Sequence, residues 1–214
     1  MTQVDVSLTD YGLAAECVYF SFLISRSRSG ASGFPLLFIA FFISIGIAAS
    51  LGGTVHGFFL DESSLGNRIL WPFTLITIGI AALSGAHVGA ALQFSSSTAT
   101  YINRVALALF LAYVFVVLFI RRDFLVAIVD YLPSLVFMGV AFILTYLKRK
   151  EPAFLMGFLG VCTMLFASAA QQRKIEIDPR YFDHNALYHL LQGIALFLVF
   201  LAARETIRSE ELII

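Results

Sequence analysis

Long apolar stretches separated by short polar ones dominate this chain, and they leave it few folds to choose from. Seven such stretches can be marked, at residues 8–25, 34–60, 69–92, 105–120, 124–147, 153–170 and 185–203. Roughly 20 predominantly apolar residues suffice to cross a bilayer as a helix. Inside lipid a lone segment must satisfy its own backbone, and only the helix does so. Composition agrees: 59% of residues are hydrophobic and 13% are charged, whereas a soluble domain carries about a quarter charged. The expected fold is an all-α integral membrane protein, a single seven-transmembrane-helix bundle over residues 1–214.

The connections fit that reading. Arg26–Gly33 is rich in Ser and Gly, 61–67 is polar, and Arg121-Arg122-Asp123 is a tight turn. Lys148-Arg149-Lys150-Glu151-Pro152 closes the fifth stretch, with proline suited to the next helix start. The longest link is 171–182. Met1–Leu8 carries no Lys or Arg, so a cleaved signal peptide is not expected. A formal net charge of +0 gives no field for a nucleic-acid partner. Cys17 and Cys162 lie in apolar stretches and read as packing residues.

Seven spans put the termini on opposite sides. Arg68, Arg121, Arg122, Arg173, Lys174 and Arg180 fall on the N-terminal side. Arg26, Arg28, Arg104, Lys148, Arg149, Lys150, Arg204 and Arg208 fall on the other. The positive-inside rule then places the C-terminus in the cytoplasm and the N-terminus outside.

The same alternation sorts the intramembrane polar residues by depth. Asp10 and Glu16, Ser50, Thr54 and His56, Asn67 and Trp71, Asp130 and Tyr131, Gln171 and Gln172, and the run from Asp183 to Gln192 all fall in the N-terminal-side half. His87 lies near the opposite face, between Gly85 and Gly89, and reads as structural. Asp10, Asn67, Gln171 and Gln172 fit the ordinary polarity of an interface. Glu16, Asp130 and His189 lie a turn or more inside, where an ionisable group is costly and has a partner or a task.

Leu51-Gly52-Gly53-Thr54-Val55-His56-Gly57 and Asn185-Ala186-Leu187-Tyr188-His189-Leu190-Leu191-Gln192-Gly193 carry a resemblance. They resemble the helix-two and helix-seven motifs of the CREST superfamily, which includes alkaline ceramidases and adiponectin-receptor-like proteins. The resemblance implies seven helices, a zinc ion held by three histidines, and a zinc-bound water that cleaves a lipid amide with the help of Ser and Asp. Mapped here, His56 and His189 are ligands. Asn185 stands at the position of the first helix-seven histidine, Gly52 at the serine, and Trp71 near the aspartate.

Asn185 is one helical turn from His189 and faces the same way. His184 is five residues away, about 140° around an ideal helix, so it joins a shared ion only from non-helical backbone. Asp183 is suited to N-cap this helix. Asp183, Glu16 or Asp130 are the other candidates to complete a His/carboxylate site.

Three functions follow as expectations. The first is a zinc-dependent membrane hydrolase of a lipid amide or ester, with His56, His189 and His184 as metal ligands and Asn185, Glu16 and Asp130 in catalysis. The second is a non-catalytic seven-helix binding or scaffold subunit. The third is a proton-coupled transporter using Glu16, Asp130 and the histidines as a relay. Membrane lipids and a lipid-like substrate are the expected partners.

Overall fold

A computed structural model describes residues 3–27, 33–178 and 182–211. Arg28 and Arg180, which entered the charge assignment, lie outside them.

Seven α-helices run α1 Val4–Ser25, α2 Phe34–Phe58, α3 Leu65–Gln93, α4 Ser96–Phe119, α5 Phe124–Arg149, α6 Pro152–Gln172 and α7 His184–Glu211. Each predicted stretch falls on one of them, with 34–60 running two residues past α2 and 105–120 one residue past α4. The helices outrun the apolar stretches at several ends, most at α4, which begins at Ser96 instead of residue 105. Hydropathy marks where side chains avoid water, while the backbone ladder continues through polar turns such as Thr98–Arg104. Six of the seven, α2 to α7, are long and apolar enough to cross a membrane, counted among the described residues. Asp5, Asp10 and Glu16 dilute α1.

Contacts close six helices into a ring, in the order α1, α2, α3, α5, α6, α7 and back to α1. Helix α4 stays outside it, packed on α3 and touching α5 only slightly. Just three of its residues, Ala99, Tyr113 and Val117, are buried. The Tyr113 hydroxyl donates to the Leu75 carbonyl at 2.7 Å and ties α4 to α3.

Small residues set the close approaches. A Cβ on Gly46 would lie 3.1 Å from Cys17 Cβ, and one on Gly53 would lie 2.9 Å from Asp10 Cβ. One on Gly57 would meet Ser7 Oγ at 2.9 Å. The Gly53-x-x-x-Gly57 face therefore packs against α1, as small-xxx-small faces do. Toward the other end of the bundle, aromatic rings fill the interior. Phe20 stacks on Phe200 at 4.4 Å and meets the edge of Phe42 at 5.5 Å. The polar half of the bundle has fewer large side chains, and there the ring encloses a cavity.

Candidate functional site

Asp183 starts the site by starting α7. Its Oδ1 accepts the N–H of Asn185 at 2.8 Å and of Ala186 at 2.9 Å, two donors that the first turn leaves orphaned. With the helix phased from there, Asn185, Tyr188, His189 and Gln192 share one face at i, i+3, i+4 and i+7. All four line an internal cavity of about 180 Å³. Gln192 Nε2 donates to the Tyr188 hydroxyl at 2.8 Å, and Gln171 Nε2 donates to Asn185 Oδ1 at 3.0 Å.

His189 meets α1 through both ring nitrogens. Nε2 lies 3.2 Å from Asp10 Oδ1, with side-chain exposures of 10% and 5%. Nδ1 lies 3.1 Å from Thr9 Oγ1. The Thr9 hydroxyl is also within bonding distance of the Asp5 and Val6 carbonyls, at 3.0 and 2.9 Å. If Thr9 donates to a carbonyl, Nδ1–H donates to Thr9; if Thr9 donates to Nδ1, the ring proton is on Nε2. In the first arrangement a neutral ring faces Asp10 with Nε2 as an acceptor, in the second as a donor, and in both the two groups meet in a nearly dry setting.

The second carboxyl oxygen completes the picture. Asp10 Oδ2 is buried and, among the described residues, has no hydrogen-bond partner. A buried polar atom left unpaired is costly. Asp10 lines the cavity, beside Gly52, whose missing Cβ leaves about 3.6 Å to Oδ2.

His56 approaches from α2. Its Nδ1 pairs with Gln3 Oε1 at 2.7 Å, and the Gln3 N–H donates to the His56 carbonyl at 3.2 Å. Its ring stands edge-on to Trp71 at 6.3 Å. Trp71 is held by its Nε1–H, which donates to the Arg122 carbonyl at 2.6 Å. His56, Trp71, Phe124 and Asn185 also border a wider, more polar space of about 900 Å³ lined by Gln3, Glu62, Asn67 and Arg68. These four residues form the wall between vestibule and cavity. At the vestibule rim, the Ser63 hydroxyl and N–H both donate to Asp61, which holds that carboxyl below its usual range.

The remaining sequence candidates go elsewhere. His184 is the first residue of α7 and therefore on helical backbone; it points to Glu176, with Nδ1 3.9 Å from Oε2. Glu16 lies against Gly193, where a Cβ would come within 2.9 Å of its Oε2, and does not line the cavity. Asp130 lines a separate cavity between α3, α4 and α5. The relay of Glu16, Asp130 and the histidines is thus not assembled in one line. Ser50 and Thr54 turn their hydroxyls back to the helix carbonyls of Gly46 and Ser50. His87 bonds the Leu83 carbonyl within its own helix.

Zinc does not fit the donors as they stand. Among the described residues no group of three His, Cys, Asp or Glu side chains is placed to hold a metal ion. Both nitrogens of His189 are engaged by Thr9 and Asp10, and Nδ1 of His56 is engaged by Gln3.

Asp10, expected to be ordinary interface polarity, is instead the partner of His189. A signal for it was present. The buried residues of α1 include Val6, Asp10, Leu13, Cys17, Phe20 and Ile24, a regular 4-3-4-3-4 spacing. Asp10 lies on that stripe and Glu16 does not. Tyr131, buried beside the cavity and bonded to Ser168, belongs to the same polar end.

Fold and site together define an all-helical, multi-pass, membrane-type protein with a buried histidine–carboxylate pair at the head of an internal cavity. Residues 6–208 match the family of unknown function DUF6962, and the chain belongs to that family. No curated protein matches the chain.

Proposed function

We propose that this is a seven-span membrane protein, N-terminus outside, that binds a lipid-like molecule in the cavity of its helical ring. One observation carries the reading: a largely apolar cavity ends on a buried carboxyl oxygen, Asp10 Oδ2, that has no hydrogen-bond partner among the described residues. An amphiphile with a hydrogen-bond donor satisfies both ends, its chain against Ile45, Ala49, Ala82 and Leu135 and its polar group at Asp10. Asn185 and Gln192 line the same space and supply further polar contacts. The small volume suits part of one chain, not a whole two-chain lipid.

Protein extracted in mild detergent is expected to carry one dominant amphiphile, identified by mass spectrometry of the organic extract. Ala49→Phe, which fills the cavity from the α2 wall, is expected to lose that species while still eluting as a folded monodisperse peak. Equal retention by the variant would overturn the reading.

A second reading keeps the CREST resemblance. His56 and His189 line one cavity, which favours a hydrolytic relative acting on a lipid amide or ester. The donor geometry argues against a resident zinc in that site. Plasma mass spectrometry of purified protein is therefore expected to find zinc far below one ion per chain. One ion per chain, lost in both His56→Ala and His189→Ala, restores the zinc hydrolase.

A further inference from the structure

The α4 side of the molecule holds a second cavity, of about 650 Å³, walled by α3, α4 and α5. It exists because α4 rests on α3 and scarcely reaches α5. Small residues of α3, among them Gly79, Ala82 and Ala86, form its floor. Its α4 wall runs from Tyr101 to Val116, sixteen residues whose ends lie about 23 Å apart along the helix. The groove is lined almost wholly by apolar side chains over that length, a surface suited to an extended hydrocarbon chain laid along α4.

The groove is not uniformly apolar. Asp130 lines it, a turn before Pro133. Proline lacks an N–H, so the Val129 carbonyl, four residues back and also on the groove wall, has no helical donor. Two acceptors therefore stand together on α5. Two neighbouring donors are spent, and the Ser134 hydroxyl, one turn beyond Asp130 on the same wall, is neutral and cannot balance a carboxylate charge. Tyr113, within electrostatic reach of Asp130, gives its proton to Leu75. Arg121 is paired with Asp123 at 2.8 Å. Among the described residues Asp130 forms no hydrogen bond or ion pair. A carboxyl group in an apolar groove with nothing to neutralise it calls for a donor from outside the chain.

We propose that the α4–α5 groove is a second binding site that takes a single-chain cationic amphiphile, its amine on Asp130 and its chain along α4. This site is separate from the cavity at His189: of its lining residues only Ala82 is common to both.

The test uses the full chain in phosphatidylcholine nanodiscs with two photoreactive probes, hexadecylamine and palmitic acid carrying a diazirine at the same chain position. Peptide mapping is expected to place the amine label on α4 and α5, about tenfold above the acid, the ratio that about 1.4 kcal/mol of head-group preference gives. Asp130→Asn is expected to bring amine labelling down to the acid level, and Asp130→Glu to keep most of it. Ala106→Phe, which narrows the groove from α4, is expected to suppress both probes there. His189→Ala is expected to leave groove labelling unchanged. Labelling that ignores the head group, survives Asp130→Asn, or maps outside α3, α4 and α5 overturns the proposal.

Discussion

Asp10→Ala is expected to cost about 2–4 kcal/mol of stability and to abolish retention of the cavity ligand. Truncation takes the polar partner away from His189 Nε2, 3.2 Å distant, and leaves the imidazole to face an apolar void. It also removes the unpaired Oδ2, which offsets part of the loss. Asp10→Asn separates these effects. An amide keeps the shape and one hydrogen bond to Nε2, so it is expected to cost clearly less stability than alanine. Ligand retention is expected to fall with both, because the carboxyl oxygen is what the polar group meets. Thermal melting in detergent, with the lipid extract weighed alongside, reads both quantities. An alanine variant that melts with the wild type would show that the pair does not form.

Gly53→Val is expected to be the most damaging single change at the α1–α2 seam. A Cβ there already stands 2.9 Å from Asp10 Cβ and 3.3 Å from the Ser7 carbonyl. Neither is the free end of a flexible side chain, so the two helices must separate, and overpacking of this kind costs about 1–3 kcal/mol or more. Separation also draws Asp10 from His189 and breaks the 2.7 Å bond from Ser7 Oγ to the Gly53 carbonyl. The variant is expected to lose ligand and to melt well below wild type. Gly12→Ala is the control on the same helix pair. Nothing lies within 4 Å of its added methyl, and helix propensity favours the change by up to about 1 kcal/mol. If the two variants behave alike, the close α1–α2 packing is not what holds the site.

Several parts of this arrangement were legible beforehand. Six of the helices, α2 to α7, follow from apolar length, because a bilayer-sized run of Phe, Leu, Ile and Val has one way to satisfy its backbone in lipid. Helix α1 was marked by a shorter stretch interrupted by Asp10 and Glu16. The Asp183 cap, the common face of Asn185 and His189, and the wrong angle of His184 are local facts of helix geometry, and each appears in the structure. Glu16 and Asp130 were selected for depth. Depth says nothing of azimuth: one lies beside Gly193 and the other in the α4 groove.

What the sequence determines by itself is everything carried by the 3.6-residue period and by hydropathy: the helices, their order, and which residues of one helix share a face. What only the tertiary structure decides is which faces meet. The ring order, with α4 excluded and α1 closing onto α7, brings Thr9 and Asp10 to His189 across 180 residues of chain. No local rule encodes that meeting. It depends on glycines at 46, 53 and 57 letting α1 sink against α2 until Asp10 reaches α7. The motif at the start of α7 was visible as two histidines in an apolar span. Its partner is a carboxylate from the other end of the chain, because an imidazole buried at that depth needs its hydrogen bonds met, and the packing of α1 supplies them.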